Sequence, residues 1–362
     1  MSTRVHSAIF LVALMISWAG CDTVVAEPAR TYKIGVVLGL TGAAATWSES
    51  ARQGLEMAQE EINQSGGIRG RRLDLLFEDS GTEAARSVSA YKKLVEVQGV
   101  RIIVGDIWAH LINAILPLAE KDRVLLIAPT VSDDDPALKG QYFFTMGNRV
   151  NSVRRAVSQF FEINPEVKRV GILCFDNSWG HAYSKMWHEV ATENGVTVVG
   201  EVCSFGFTDT HRTEIAKFRA LGADAIIAAE WTDQVLKTMK EQRMASKLLG
   251  TSNVTEALYV RNSSNDLMEG TFFTDWSPSD EFISRFKQRY GKDPILGAHN
   301  AYEILRSIAK ALTISDQDVA SALRTVHYEG VGGSIDFRNG MFANMSVGSL
   351  FTVKSRKVVA IQ

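Results

Sequence analysis

The chain has 362 residues, 46% of them apolar and 22% charged, with 39 basic residues against 41 acidic ones. That near-balance gives no basis for a nucleic-acid surface or a polybasic membrane patch, and the length suits two domains of ordinary size.

At the N-terminus, Arg4 precedes the apolar run AIFLVALMI (8–16), a few small residues and Cys21. Nine apolar residues are too few to span a bilayer but fit the centre of a secretory signal, so an exported, periplasmic protein is expected. Two processing sites compete. WAGC (18–21) has the form of a lipoprotein box, which makes residues 1–20 the signal and Cys21 the lipid attachment site. Cleavage after VVA (24–26) is the alternative. The first is preferred because it gives Cys21 a purpose. Cys174 and Cys203 are left for the folded body, and an exported pair can form a disulfide.

From residue 33 short apolar runs alternate with amphipathic stretches. KIGVVLGL (33–40), RLDLLFED (72–79), VRIIVGD (100–106) and RVLLIAP (123–129) read as strands, and ESARQGLEMAQEEINQ (49–64) as a helix closed by the glycines that follow. The alternation restarts after residue 150 with RVGILCF (169–175), VTVVGEVCSF (196–205), ADAIIAAEW (223–231), KLLGTS (247–252) and EGTFFTDW (269–276). Strands that are apolar throughout and alternate with helices predict an α/β fold with parallel sheets covered on both faces, here in two Rossmann-like lobes. Helices at 280–291, 297–312 and 315–325 come late and are expected to return to the first lobe.

Open parallel sheets bind ligands at the carboxyl ends of their strands. Five tryptophans, Trp47, Trp108, Trp179, Trp231 and Trp276, fall just after strands. Any one of them could merely cap the edge of a core. All five together predict an aromatic-lined cleft for a small molecule. Acidic residues accompany them, with Asp106 near Trp108, Asp176 near Trp179, Glu230 beside Trp231 and Asp275 beside Trp276.

The stretch KIGVVLGLTGAAATWSESARQGLEMAQEEINQSGGIRGRRLDLLFED (33–79) resembles the opening of the type I periplasmic binding proteins of the leucine/isoleucine/valine-binding and amide-binding group. The likeness continues through VRIIVGD, LLIAP, DNSWG (176–180), LGADAII (221–227) and NAYEILRSIAKAL (300–312). The resemblance implies two lobes joined by three hinge crossings, with residues 31–148 and 276–344 in the first and 149–275 and 345–362 in the second. It also implies a monomer that closes on a ligand and delivers it to an ABC permease in the inner membrane. In such proteins a tryptophan in the first loop lines the ligand's apolar pocket, and Trp47 matches it. Ser132 keeps a hydroxyl that holds the ligand's polar groups, while Ala109 and His110 stand where relatives have serines. Ser252 occupies the place of the carboxylate that balances an amino acid's ammonium. Either Glu230 or Asp275 substitutes, or the ligand is not an α-amino acid; an aromatic acid, an amide or a cation is equally compatible.

No motif for a nucleophile, a metal or a cofactor loop accompanies these features, so neither an enzyme nor a cofactor is expected. His181 and His188 lie seven apart on one helix without a third ligand and read as solvated. The rival to transport is a ligand-sensing receptor of the same fold.

Overall fold

A computed structural model describes residues 31–131, 138–147, 149–204, 210–338, 340–341, 343 and 347–362. Cys21 and Ser132 therefore lie outside the described residues. Residues 31–362 form one compact unit.

The first sheet is built from β1 (Tyr32–Leu38), β2 (Leu73–Asp79), β3 (Ile102–Val104), β4 (Leu125–Ala128) and β5 (Phe143–Thr145), in the order β2-β1-β3-β4-β5. All its pairings are parallel. The connecting helices are α1 (Ala45–Gln64), α2 (Ala84–Lys92) and α3 (Ala109–Asp122). The chain then enters the second lobe through α4 (Arg154–Ile163), β6 (Arg169–Phe175), α5 (Ser178–Glu193), β7 (Thr197–Ser204), α6 (Arg212–Ala220), β8 (Ala225–Ala228), α7 (Thr232–Glu241), β9 (Lys247–Gly250), α8 (Asn253–Tyr259), α9 (Asn265–Met268) and β10 (Phe272–Asp275). It returns to the first lobe for α10 (Asp280–Tyr290), α11 (Ala298–Ile314), α12 (Val319–Leu323) and the hairpin β11 (His327–Gly330) and β12 (Gly333–Asp336). A last crossing leads to β13 (Ser349–Lys354) and β14 (Lys357–Ala360) on the second sheet.

The second sheet runs β14-β13-β10-β9-β8-β6-β7. Its β7-β6-β8-β9-β10 part repeats the strand order of the first sheet. The antiparallel pair β13–β14 departs from the expected all-parallel sheet. Sequence reading missed it, together with β5 and the β11–β12 hairpin, which lie outside the strand–helix alternation that marked the other strands.

The late helices pack against α1 and the first sheet. Phe282 and Phe286 of α10 and Ile304, Leu305 and Ile308 of α11 share a core with Leu55 and Ala58 of α1 and with β1. Gly54 permits this packing, since a Cβ there would stand 2.0 Å from the Ala298 carbonyl oxygen. Among the described residues, no helix is long and apolar enough to cross a membrane.

Candidate ligand cleft between the lobes

In a strand order of the type 2-1-3-4-5, the crevice opens where consecutive connections leave on opposite sides of the sheet, between the first and third strands. Both sheets have that switch point, at β1/β3 and at β6/β8. Trp47 follows β1, Trp108 follows β3, Trp179 follows β6 and Trp231 follows β8. All four line a cleft of about 740 Å³, within the usual range for small-molecule sites.

Each indole is held by a helix start. Trp47 and Trp179 sit in the first turns of α1 and α5 rather than in loops, while Trp108 and Trp231 are the N-cap residues of α3 and α7. The small residues before Trp47 let two loops meet: Gly42 has φ +85°, and a Cβ there would lie 2.5 Å from the Gly81 carbonyl oxygen. The Thr41 hydroxyl donates to Asp79 at 2.6 Å, and the Ala44 N–H donates to Thr82 Oγ1 at 3.1 Å. On the second lobe the Asn177 side chain accepts from the Gly180 N–H at 2.8 Å and caps α5.

The aromatic rings cross between the lobes. Trp47 stacks on Trp231 with centroids 5.3 Å apart and an angle of 14° between planes. Trp108 tilts against Trp47 at 6.2 Å, and His110 against Trp108 at 5.8 Å. Arg261 lies over the Trp231 ring at 5.0 Å and pairs with Asp233 at 3.0 Å. Trp179 packs edge-on against Tyr183.

Ala109, His110 and Ser252 also line the cleft, as do Asp176, Ser204 and Asn253. Among the described lining residues there is no lysine or arginine. Burial lowers the pKa of His110, which favours its neutral form. Asp176 accepts from or is paired with His181 at 2.8 Å, and His188 meets Glu201 at 2.8 Å. The two histidines of α5 thus have separate carboxylate partners on the surface and do not converge.

Three expected site residues are not on the cleft wall. Glu230 is fully buried one layer behind it. Its Oε1 accepts from the Ser204 hydroxyl at 3.0 Å, its backbone carbonyl accepts from Asn253 Nδ2 at 3.2 Å, and His211 Nε2 lies 3.9 Å from Oε2. Among the described residues, Oε2 has no hydrogen-bond partner. Desolvation pushes the Glu230 carboxyl up to about 7, against the lowering effect of the Ser204 bond.

Trp276 and Asp275 lie where the chain leaves β10 for α10. They follow β10, two strands beyond β8, which is too far from the switch point to reach the cleft. Trp276 Nε1 donates to Ser152 on the first crossing at 2.7 Å, and a Cβ on Gly348 of the third crossing would lie 3.0 Å from the same nitrogen. Asp275 Oδ1 accepts from the Trp276 N–H at 2.8 Å, and burial raises its carboxyl to about 7.

Sequence reading passed over Ser204, Asn253, Phe175, Asn113 and Leu296, which also line the cleft. Ser204 and Asn253 follow β7 and β9 and could have been found by extending the strand-end rule to neighbours of the switch strands. Leu296 follows no strand and gives no local signal. Cys174 and Cys203 stand opposite each other in the β6–β7 register, with Cα atoms 4.4 Å apart and the sulfurs joined.

The leucine-, isoleucine-, valine-, threonine- and alanine-binding protein of Pseudomonas aeruginosa is 24% identical over 85% of this chain and 86% of its own length. Among solved structures, the branched-chain amino acid transporter substrate-binding protein of Streptococcus pneumoniae, in complex with isoleucine, superposes with a TM-score of 0.80 at 19% identity, covering 91% of this chain and 99% of that one. A solute-binding protein of an R. palustris ABC transporter, in complex with benzoate, superposes with a TM-score of 0.77 at 16% identity, covering 92% and 96%. At these identities the superpositions show the common fold. The sequence profile of the periplasmic binding proteins matches residues 31–356, nearly all of the folded body, and the chain belongs to that family.

Proposed function

We propose that this protein is the extracytoplasmic solute-binding component of an ABC transporter. It clamps a small amphipathic molecule with an aromatic or bulky apolar part and hands it to a membrane permease. The observation that carries this reading is the cleft faced by indoles from both lobes, with Trp47 and Trp231 in contact across it. Binding that touches both lobes favours their closure, because each contact is complete only when the lobes meet. The hinges would lie near 148, 275 and 344, where the chain passes between the sheets.

The relatives' ligands include branched-chain amino acids and benzoate. Two features favour the bulkier, planar class here. Four indoles line the cleft, and at Ser252 a neutral hydroxyl faces it, so an ammonium would have no carboxylate there. An unpaired ammonium out of water is costly. An aromatic acid would draw instead on His110 and on backbone N–H groups at the helix starts.

Mass spectrometry of the molecule retained through gentle purification tests the ligand class directly. X-ray scattering with and without that molecule should show a smaller radius of gyration when it is bound, and an unchanged radius at saturation would rule out closure. Association with a permease, rather than with a signalling partner, distinguishes transport from sensing. Export with acylation of Cys21 is part of the same reading. Cys21→Ala should then release the protein from the membrane fraction, whereas a mature N-terminus at Glu27 would show ordinary cleavage.

A further inference from the structure

Glu230 is a carboxylate buried behind the cleft that the solute-binding reading leaves without a role. It cannot touch a ligand directly, because Ser204 stands between it and the cleft. A serine hydroxyl has one hydrogen to give. While Glu230 is ionised, that hydrogen is committed to Oε1, and Ser204 offers the cleft only lone pairs. Once Glu230 is protonated on Oε1, the acid can donate to Ser204, and the serine hydrogen is free to point at a ligand.

We propose that Glu230 is a positioning residue that sets the hydrogen-bond polarity of Ser204, and thereby selects between ligands that donate and ligands that accept at that point. This rests on the reading of the cleft as a solute site. Ionised Glu230 favours an N–H donor such as an amide, and protonated Glu230 favours an acceptor such as a carboxylate. The placement supports the switch. The carboxylate is fully buried, it has a single side-chain hydrogen-bond donor among the described residues, and Oε2 has no hydrogen-bond partner there, with His211 Nε2 3.9 Å away. The nearby titratable group is His211, which burial biases towards its neutral form and which Glu214 opposes. Across α7 and α8, Glu256, Asp233 and Arg261 act on one another. The surroundings hold Glu230 near 7, so the exchange falls within the physiological range.

Two measurements test this. Infrared difference spectra between native protein and Glu230→Gln report the Glu230 carboxyl without any ligand. Ser204→Ala removes the donor to the ionised form and should raise the Glu230 midpoint by about one pH unit. An unchanged midpoint would overturn the coupling. The ligand arm uses benzamide and benzoate, which share a shape but differ in donor character. From pH 6 to pH 8 the ratio of their dissociation constants should move about tenfold towards benzamide in native protein, the size of one hydrogen bond. The same ratio should stay flat in Glu230→Gln. A flat ratio in native protein, or a shift that persists in Glu230→Gln, would overturn the selectivity. If neither compound binds at millimolar concentration, the aromatic reading fails, and the infrared titration alone decides whether Glu230 governs Ser204.

Discussion

The two lobes repeat one strand order, and each sets a serine at the end of its second strand against a carboxylate that follows its third. In the first lobe, Ser80 donates to Asp106 Oδ2 at 2.6 Å, and the N–H groups of Ile107 and Gly39 donate to Oδ1 at 2.7 and 3.3 Å. In the second, Ser204 donates to Glu230 Oε1, and Oε2 has no hydrogen-bond partner among the described residues. Asp106 is therefore a clamp that ties the loops after β1, β2 and β3 together beneath Trp47 and Trp108. Glu230, one methylene longer, reaches past its own backbone and finds fewer donors. The same architectural slot holds a fully bonded carboxylate in one lobe and a less fully bonded one, buried behind the cleft, in the other. Satisfied buried carboxylates fix structure, whereas under-satisfied ones are available for function.

The largest expected effect comes from breaking the clamp. Asp106→Ala orphans one hydroxyl and two backbone N–H groups and should destabilise the protein by about 4 kcal/mol, read as a lower urea midpoint. Glu230→Gln, by contrast, should cost less than about 1 kcal/mol at pH 7. Similar losses for both would erase the distinction between the two slots.

The lobes also differ in covalent restraint, since β6 and β7 are joined through Cys174 and Cys203 while β1 and β2 carry no cysteines. Closing a loop with a sequence separation of 29 is worth about 3.6 kcal/mol in the chain-entropy account. Replacing both cysteines by alanine should lower stability by roughly that amount. Finding two titratable thiols in oxidised, denatured protein would show that the bond is absent.

Across the cleft, Trp47→Ala and Trp231→Ala should each weaken binding of the co-purified ligand by about 2 kcal/mol, as loss of a buried aromatic anchor does. Trp276→Phe should leave that affinity within about twofold while reducing stability by about 1 kcal/mol through the lost Ser152 bond. Isothermal titration separates these outcomes. An affinity loss at Trp276 matching that at Trp47 would return Trp276 to the binding site.

The lobes also differ in pH dependence. Burial raises Glu230, Glu256 and Asp275 of the second lobe to about 7, and Asp106 of the first to about 6. Acids raised by folding bind more protons in the native state than in the unfolded chain. Their contribution is therefore full below the ordinary carboxylate range and is lost as pH rises through about 7. Glu230→Gln should flatten the decline between pH 5 and 7 by up to about 1.4 kcal/mol per pH unit. An unchanged slope would mean that Glu230 titrates normally.

Much of the fold was legible in the chain because its signals are local. Strands such as RVGILCF match β6 residue for residue, and the helix at 280–291 matches α10 to within one position. Apolar runs, helical spacing and glycine stops are properties of neighbouring residues, and they survive without knowledge of the rest of the molecule. The tryptophans after strands were legible for the same reason.

The sequence by itself thus determined the alternation of strands and helices, the placement of aromatic residues at strand ends and the pair of cysteines on successive strands. Tertiary structure decided which strand ends face each other. Trp231 and Trp276 look alike in the chain, each next to an acid after an apolar strand. Strand order puts β8 at the switch point, whereas β10 lies between β9 and β13, so one indole meets Trp47 and the other bonds Ser152. Asp275 was kept from the cleft by the same cause, whereas Glu230, at the end of β8 itself, lies behind Ser204. A side chain's distance from a cleft depends on the lateral order of strands, which is set by long-range pairing and leaves no trace in the residues beside it.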